Sequence, residues 1–98
     1  MAEEAALAEL PDSDIVLNNL GYSQLSVGRY DLALPLLRQA VAANAANPQA
    51  HMNLGLTFFG LSRYSDAISS WETAIGLQPE LAATLEDLVQ EARSRLGQ

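Results

Sequence analysis

The feature that most constrains this chain is a match to itself at an offset of 34 residues. Asn19, Leu20 and Gly21 fall on Asn53, Leu54 and Gly55, and Arg29 and Tyr30 fall on Arg63 and Tyr64. Ala33 and Ala40 fall on Ala67 and Ala74, while Val27, Leu34 and Val41 meet Leu61, Ile68 and Ile75. A period of this length points to stacked units, none of which can bury its apolar face alone. In the better-formed copy, Pro48 to Pro79, two apolar stripes recur near 3.6 residues. One runs through His51, Leu54, Gly55, Phe58 and Phe59, the other through Ala67, Ile68, Trp71, Ala74 and Ile75. A polar break at Ser62-Arg63 divides them, so each copy reads as a helix hairpin with two stripes to hide.

Composition narrows the class. Ninety-eight residues make one domain at most, with a modest core. An apolar share of 49% is too high for a disordered chain, and too dispersed for a membrane span. Alanine and leucine dominate, which predicts an all-α protein. Without cysteine, the chain has no disulfide, thiolate nucleophile or cysteine zinc site. Its five basic residues, Arg29, Arg38, Arg63, Arg93 and Arg95, are scattered among twelve acids, for a net charge of -7. Nucleic acid and anionic membranes need clustered positive charge, so neither is an expected partner. The N-terminus carries acids where an export signal needs basic residues, and lacks a long apolar core. The expectation is a soluble, cytoplasmic chain.

At the 34-residue offset the chain resembles the tetratricopeptide repeat family. The family pattern is an aromatic, then Leu-Gly, a second aromatic, Ala, a third aromatic and a closing proline. The second copy supplies Leu54-Gly55, Phe58, Ala67, Trp71 and Pro79, with His51 in the first aromatic position. The first copy supplies Leu17, Leu20-Gly21, Gln24, Ala33, Leu37 and Ala45, keeping the small residues without the aromatics. The small positions are where two helices of a hairpin approach closely. Large residues (Phe58, Trp71, Leu20, Leu54) are expected to fill the volume opposite. The resemblance implies a short right-handed α-solenoid of antiparallel helix pairs.

Helices are predicted at about 14–27, 31–44, 48–61, 65–77 and 81–96, with a short one at about 2–10. Ser65 and Asp31 read as N-caps, and Pro35 lies in or just after the first turn of its helix, where it costs little. Ala6 aligns with Ala40 and Ala74, and Pro11 with Pro79, so residues 1–13 read as the end of a preceding repeat. Residues 14–47 and 48–81 form the two repeats. Residues 82–98, with Leu85 and Leu88 inward and charges outward, form the capping helix such arrays need. The reading favours a piece of a longer repeat protein.

No catalytic set is present: one histidine, no cysteine and no lysine. His51 reads as a helix-packing residue with a polar tip, since no second metal ligand stands at helical spacing from it. Glu3-Glu4 and Glu86-Asp87 are adjacent residues that do not share a helix face, hence solvated surface. Trp71 aligns with a core position of the family, and Tyr30 and Tyr64 are expected to pack at the turns.

The resemblance also implies a concave groove lined by the first helix of each pair. Its positions here are Ile15, Asn18, Asn19 and Tyr22, then Gln49, Met52, Asn53 and Leu56, then Glu86, Asp87 and Gln90. Leu25 and Phe59 belong to its floor or to the seam between repeats. Family members that clamp chaperone C-terminal carboxylates use two lysines, two asparagines and an arginine. The matching positions hold Asn18, Tyr22, Asn53, Ala83 and Asp87, so the cations are missing and Asp87 would repel such a ligand. The expected site is therefore Asn18, Asn19, Tyr22, Gln49, Met52, Asn53, Leu56 and Phe59. The expected partner is a protein segment with apolar and some basic side chains, with no cofactor, metal or enzymatic activity. Self-association into a structural scaffold is the alternative.

Overall fold

A computed structural model describes residues 13–97. The helix expected at 2–10, the Glu3-Glu4 pair and the alignments of Ala6 and Pro11 lie outside the described residues. Five α-helices follow in order: α1 (Asp14–Ser26), α2 (Tyr30–Ala43), α3 (Pro48–Gly60), α4 (Tyr64–Leu77) and α5 (Ala82–Leu96). A 3-10 turn at Pro79–Leu81 leads into α5. The helices begin and end within about a residue of the boundaries read from periodicity.

The repeat extends to the ends of the helices. Ser13 and Asn47 are equivalent by the offset, and each caps a first helix. The Ser13 hydroxyl accepts from the Val16 N–H at 3.3 Å, and Asn47 Oδ1 accepts from Gln49 and Ala50 at 3.0 and 3.2 Å. Gly28 (φ 80°) and Ser62 (φ 61°) are equivalent left-handed residues that end those helices. Behind them Arg29 N–H bonds Gln24 O at 2.9 Å and Arg63 N–H bonds Phe58 O at 2.8 Å, a Schellman closure in both copies. This closure corrects the expected caps of α2 and α4. The cap positions belong to Arg29 and Arg63, neither with a side-chain cap, and Asp31 and Ser65 lie inside the first turn. Asp31 and Asp66 still favour those helix starts through the dipole.

α1 packs against α2 and α3 against α4, and α3 also packs on α2, as α5 does on α4. Trp71 is wholly buried, its ring over Gly55, where a Cβ would collide with the indole. In the first copy Leu37 does the same over Gly21, coming within 2.6 Å of where that Cβ would sit. Phe58 is buried beneath the guanidinium groups of Arg63 and Arg38, at 4.7 and 5.8 Å from its ring. Tyr30 rests on Gly60 and Tyr64 against Phe59, each tyrosine at the start of a second helix. Leu20 departs from its expected filling role. It is 43% exposed while its equivalent Leu54 is 8% exposed and clusters with Ala33 and Leu37 of α2. On α5, Leu85, Val89 and Ala92 face the core and the charges face outward.

Candidate functional site

The candidate site lies on α1, α3 and α5, the first helices of successive units. α1 and α3 pack side by side, and one polar contact marks their seam. Asn53 Nδ2 donates to Asn18 Oδ1 at 2.9 Å. Asn53 is 4% exposed, and its Oδ1 has no hydrogen-bond partner among the described residues. Asn19, its equivalent, is exposed. The two equivalent asparagines therefore differ: Asn53 gives an Nδ2 hydrogen bond inside the seam, and Asn19 faces solvent.

Around the seam the expected residues separate by exposure. Ile15 and Tyr22 on α1 are 65% and 53% exposed, Gln49 is exposed, and Asn18, Met52 and Leu56 are half-buried. The main chain of this surface is held from behind, where Trp71 Nε1 donates to Met52 O at 3.2 Å and Thr57 Oγ1 to Asn53 O at 2.9 Å. Phe59 packs within the second hairpin and against α5. Its ring meets Tyr64 edge-on at 5.3 Å and Trp71 at 5.9 Å, and the Arg95 guanidinium stands 5.3 Å from it. Leu25 is half-buried and packs against the main core.

The charges are distributed unevenly. Among the described residues, the ion pairs are Arg63–Asp66, Arg93–Glu72 and Arg95–Glu91. Glu86 and Asp87 on α5 have no ion-pair partner among the described residues and are exposed beside Gln90. By the repeat offset, Glu86, Asp87 and Gln90 stand in register with Met52, Asn53 and Leu56. In that register, apolar and amide groups on α1 and α3 give way to acids on α5 that have no ion-pair partner among the described residues. Away from it, the Tyr64 hydroxyl is held below the usual phenol range by its hydrogen bond with Ser62, then by that from Arg95. His51 Nε2 lies 2.8 Å from Ala45 O, a local packing contact. Among the described residues, no three side chains of histidine, aspartate or glutamate gather where they could hold a metal.

Sequence reasoning did not reach three arrangements. The Asn18–Asn53 bond joins residues 35 apart, one off the repeat offset, so no spacing pairs them. Arg95 over Phe59 and Tyr64 had no cue beyond a basic residue in the last turn of α5. Asp14 accepts from Asn47 at 2.7 Å and from Asn44 at 3.3 Å, linking the starts of α1 and α3. There the offset was a usable signal, because it pairs Ser13 with Asn47 and so places two helix starts side by side.

Comparison with known proteins bears on the family and the fold. The sequence profile described as "Tetratricopeptide repeat" matches residues 18–82. Protein O-mannosyl-transferase Tmtc3 of Drosophila melanogaster is 35% identical over 63 residues, 64% of this chain but 7% of that protein. A structure described as MamA MSR-1 C2 superposes with a TM-score of 0.67 at 33% identity, covering 94% of this chain and 58% of that one. A mutant of MamA superposes at 0.68, also at 33% identity, covering 96% and 57%. The chain spans a small fraction of the fly relative and rather more than half of the similar structures. The likeness identifies the stacked hairpins as a short right-handed α-solenoid.

Proposed function

The chain belongs to the tetratricopeptide repeat family, a family of protein–protein interaction modules, and from that premise we propose that it holds a peptide or helical segment of a partner protein across α1, α3 and α5. The module is non-catalytic and needs no cofactor. Its partner segment offers apolar side chains to Tyr22, Met52 and Leu56, and basic ones toward Glu86 and Asp87. Asn18, Asn19 and Gln49 supply amides along the way, and Asn53 and Phe59 set the floor and seam.

The observation that carries the reading is the exposure of Tyr22, 53% of a large aromatic, beside half-buried Met52 and Leu56 on the neighbouring helix. An exposed aromatic next to adaptable apolar groups is the surface an apolar anchor fits. Extended and helical segments both use such grooves, by alternate side chains or by one helix stripe. The test is capture of a partner from native extract by the whole chain and by a Tyr22→Ala, Leu56→Ala double variant. The double variant is expected to keep its helical circular dichroism and lose the partner. Unchanged capture with intact helicity would rule the groove out.

A further inference from the structure

Asn53 is an amide in a place that suits an apolar residue. It shares its face of α3 with Ala50 and Thr57, both wholly buried, and is itself 4% exposed. One arm of the amide is used, Nδ2 donating to Asn18 Oδ1 at 2.9 Å. The other arm, Oδ1, is the one buried side-chain polar atom among the described residues that has no hydrogen-bond partner. A buried acceptor without a donor costs stability, and an apolar side chain of similar size would carry no such cost. Nor does the repeat call for the pair. Asn18 lies one residue before Asn19, the equivalent of Asn53, and Asn19 is exposed. Asn18 is half-buried, and its Nδ2 donates to no acceptor among the described residues.

We propose that Asn53 is a positioning residue, kept inside the seam at a cost to stability, which fixes the Asn18 amide so that Asn18 Nδ2 offers a donor to a carbonyl oxygen of the bound segment. The inference rests on the groove reading above and gives Asn53 a place in it without contact to the partner. The two arms of an amide diverge, so anchoring Asn18 Oδ1 on Asn53 turns Nδ2 away from the seam. On α1, Ile15 lies about one turn before Asn18 and Tyr22 about one turn after it, both exposed. The donor therefore stands beside the aromatic that anchors the segment. A neutral carbonyl suits it better than a carboxylate, because Glu86 and Asp87 have no ion-pair partner among the described residues and disfavour an anionic segment. An asparagine side chain loses rotamer freedom when it binds, and one already fixed by Asn53 has lost that freedom on folding.

The test is nuclear magnetic resonance on the whole chain titrated with N-acetyl-leucine N-methylamide, a neutral probe with an apolar side chain and free carbonyls. The parent is expected to show probe-dependent shifts at Tyr22, at Leu56 and at the Asn18 side-chain amide. In Asn53→Leu the shifts at Tyr22 and Leu56 are expected to stay and the Asn18 shift to vanish. The probe then binds about fivefold more weakly, and the variant melts at or above the parent's temperature. That combination separates positioning from a structural role, because loss of a contact that held the fold would lower the melting temperature. A lowered melting temperature, or an Asn18 shift that survives the substitution, would overturn the proposal and leave the groove standing. Absence of shifts at Tyr22 and Leu56 in the parent would remove the groove reading and this inference with it. Should Asn53→Leu fail to fold, Asn18→Asp decides, since it keeps the acceptor for Asn53 Nδ2 and loses the donor. It is expected to fold as the parent does and to weaken the probe to the same extent, and unchanged affinity would overturn the proposal.

Discussion

Trp71 sets how closely α3 and α4 approach, and Gly55 opposite is the residue that lets it. The indole fills the space a Cβ would take and donates to the Met52 carbonyl, so one side chain supplies packing volume and a satisfied polar tip. Trp71→Ala is expected to cost about 3–5 kcal/mol, a large part of a small domain's stability, read as a lowered urea midpoint. Ser62 offers the opposite case. It holds φ 61° where its equivalent is glycine, and left-handed backbone is costly for any residue with a Cβ. Its hydroxyl bond from Tyr64, 3.3 Å and exposed, returns little. Ser62→Gly is therefore expected to raise stability by up to about 1 kcal/mol, measured by thermal melting. Trp71 was legible from its place in an apolar stripe and its alignment with a core position of the family. The inward turn of Asn53 was not, because nothing in an Asn-Leu-Gly triplet tells whether the amide meets solvent or another amide.

Among the helices, the first of each pair and the second start by different means. α1 and α3 begin on side-chain caps, whereas α2 and α4 begin on the Schellman closure of the helix before. Asn47 does most at such a start, accepting two N–H groups of α3 and donating to Asp14. Asn47→Ala is expected to cost about 1–2 kcal/mol, and Ser65→Ala, which removes no cap, close to nothing. Equal losses in chemical denaturation would contradict this account. The helices were legible because their apolar spacing is regular, but these caps were not. A serine or aspartate near a helix start reads the same in sequence whether it precedes the first turn or lies within it. The left-handed residue three places earlier decides between them, and in the second copy that residue is Ser62 rather than glycine.

At the scale of the molecule, charge is what distinguishes the proposed groove from a general apolar surface. Glu86 and Asp87 stand unpaired among the described residues in register with Met52 and Asn53, so a basic partner segment would meet them late along the array. Rim charges act mainly on association rate and salt dependence. Glu86→Lys with Asp87→Lys is expected to slow partner association at low salt by about tenfold and to flatten its salt dependence. The substituted residues are exposed, so the melting temperature should stay near that of the parent. A salt dependence identical to the parent's would remove the basic segment from the proposal and leave the apolar one.

The sequence by itself determined the architecture: a 34-residue period, small residues at fixed places in both copies and two apolar stripes per copy admit stacked helix hairpins. Those are local and periodic quantities, and the offset carries them from one copy to the next. Tertiary structure decided what depends on a helix's neighbours. Leu20 and Leu54 share one place in the repeat, yet Leu20 is 43% exposed and Leu54 8%, because α2 packs on Leu54. Asn19 and Asn53 share another, yet only Asn53 has Asn18 on the adjacent helix to bond. Equivalent residues in a repeat share their backbone, but their surroundings follow from where the repeat stands in the stack.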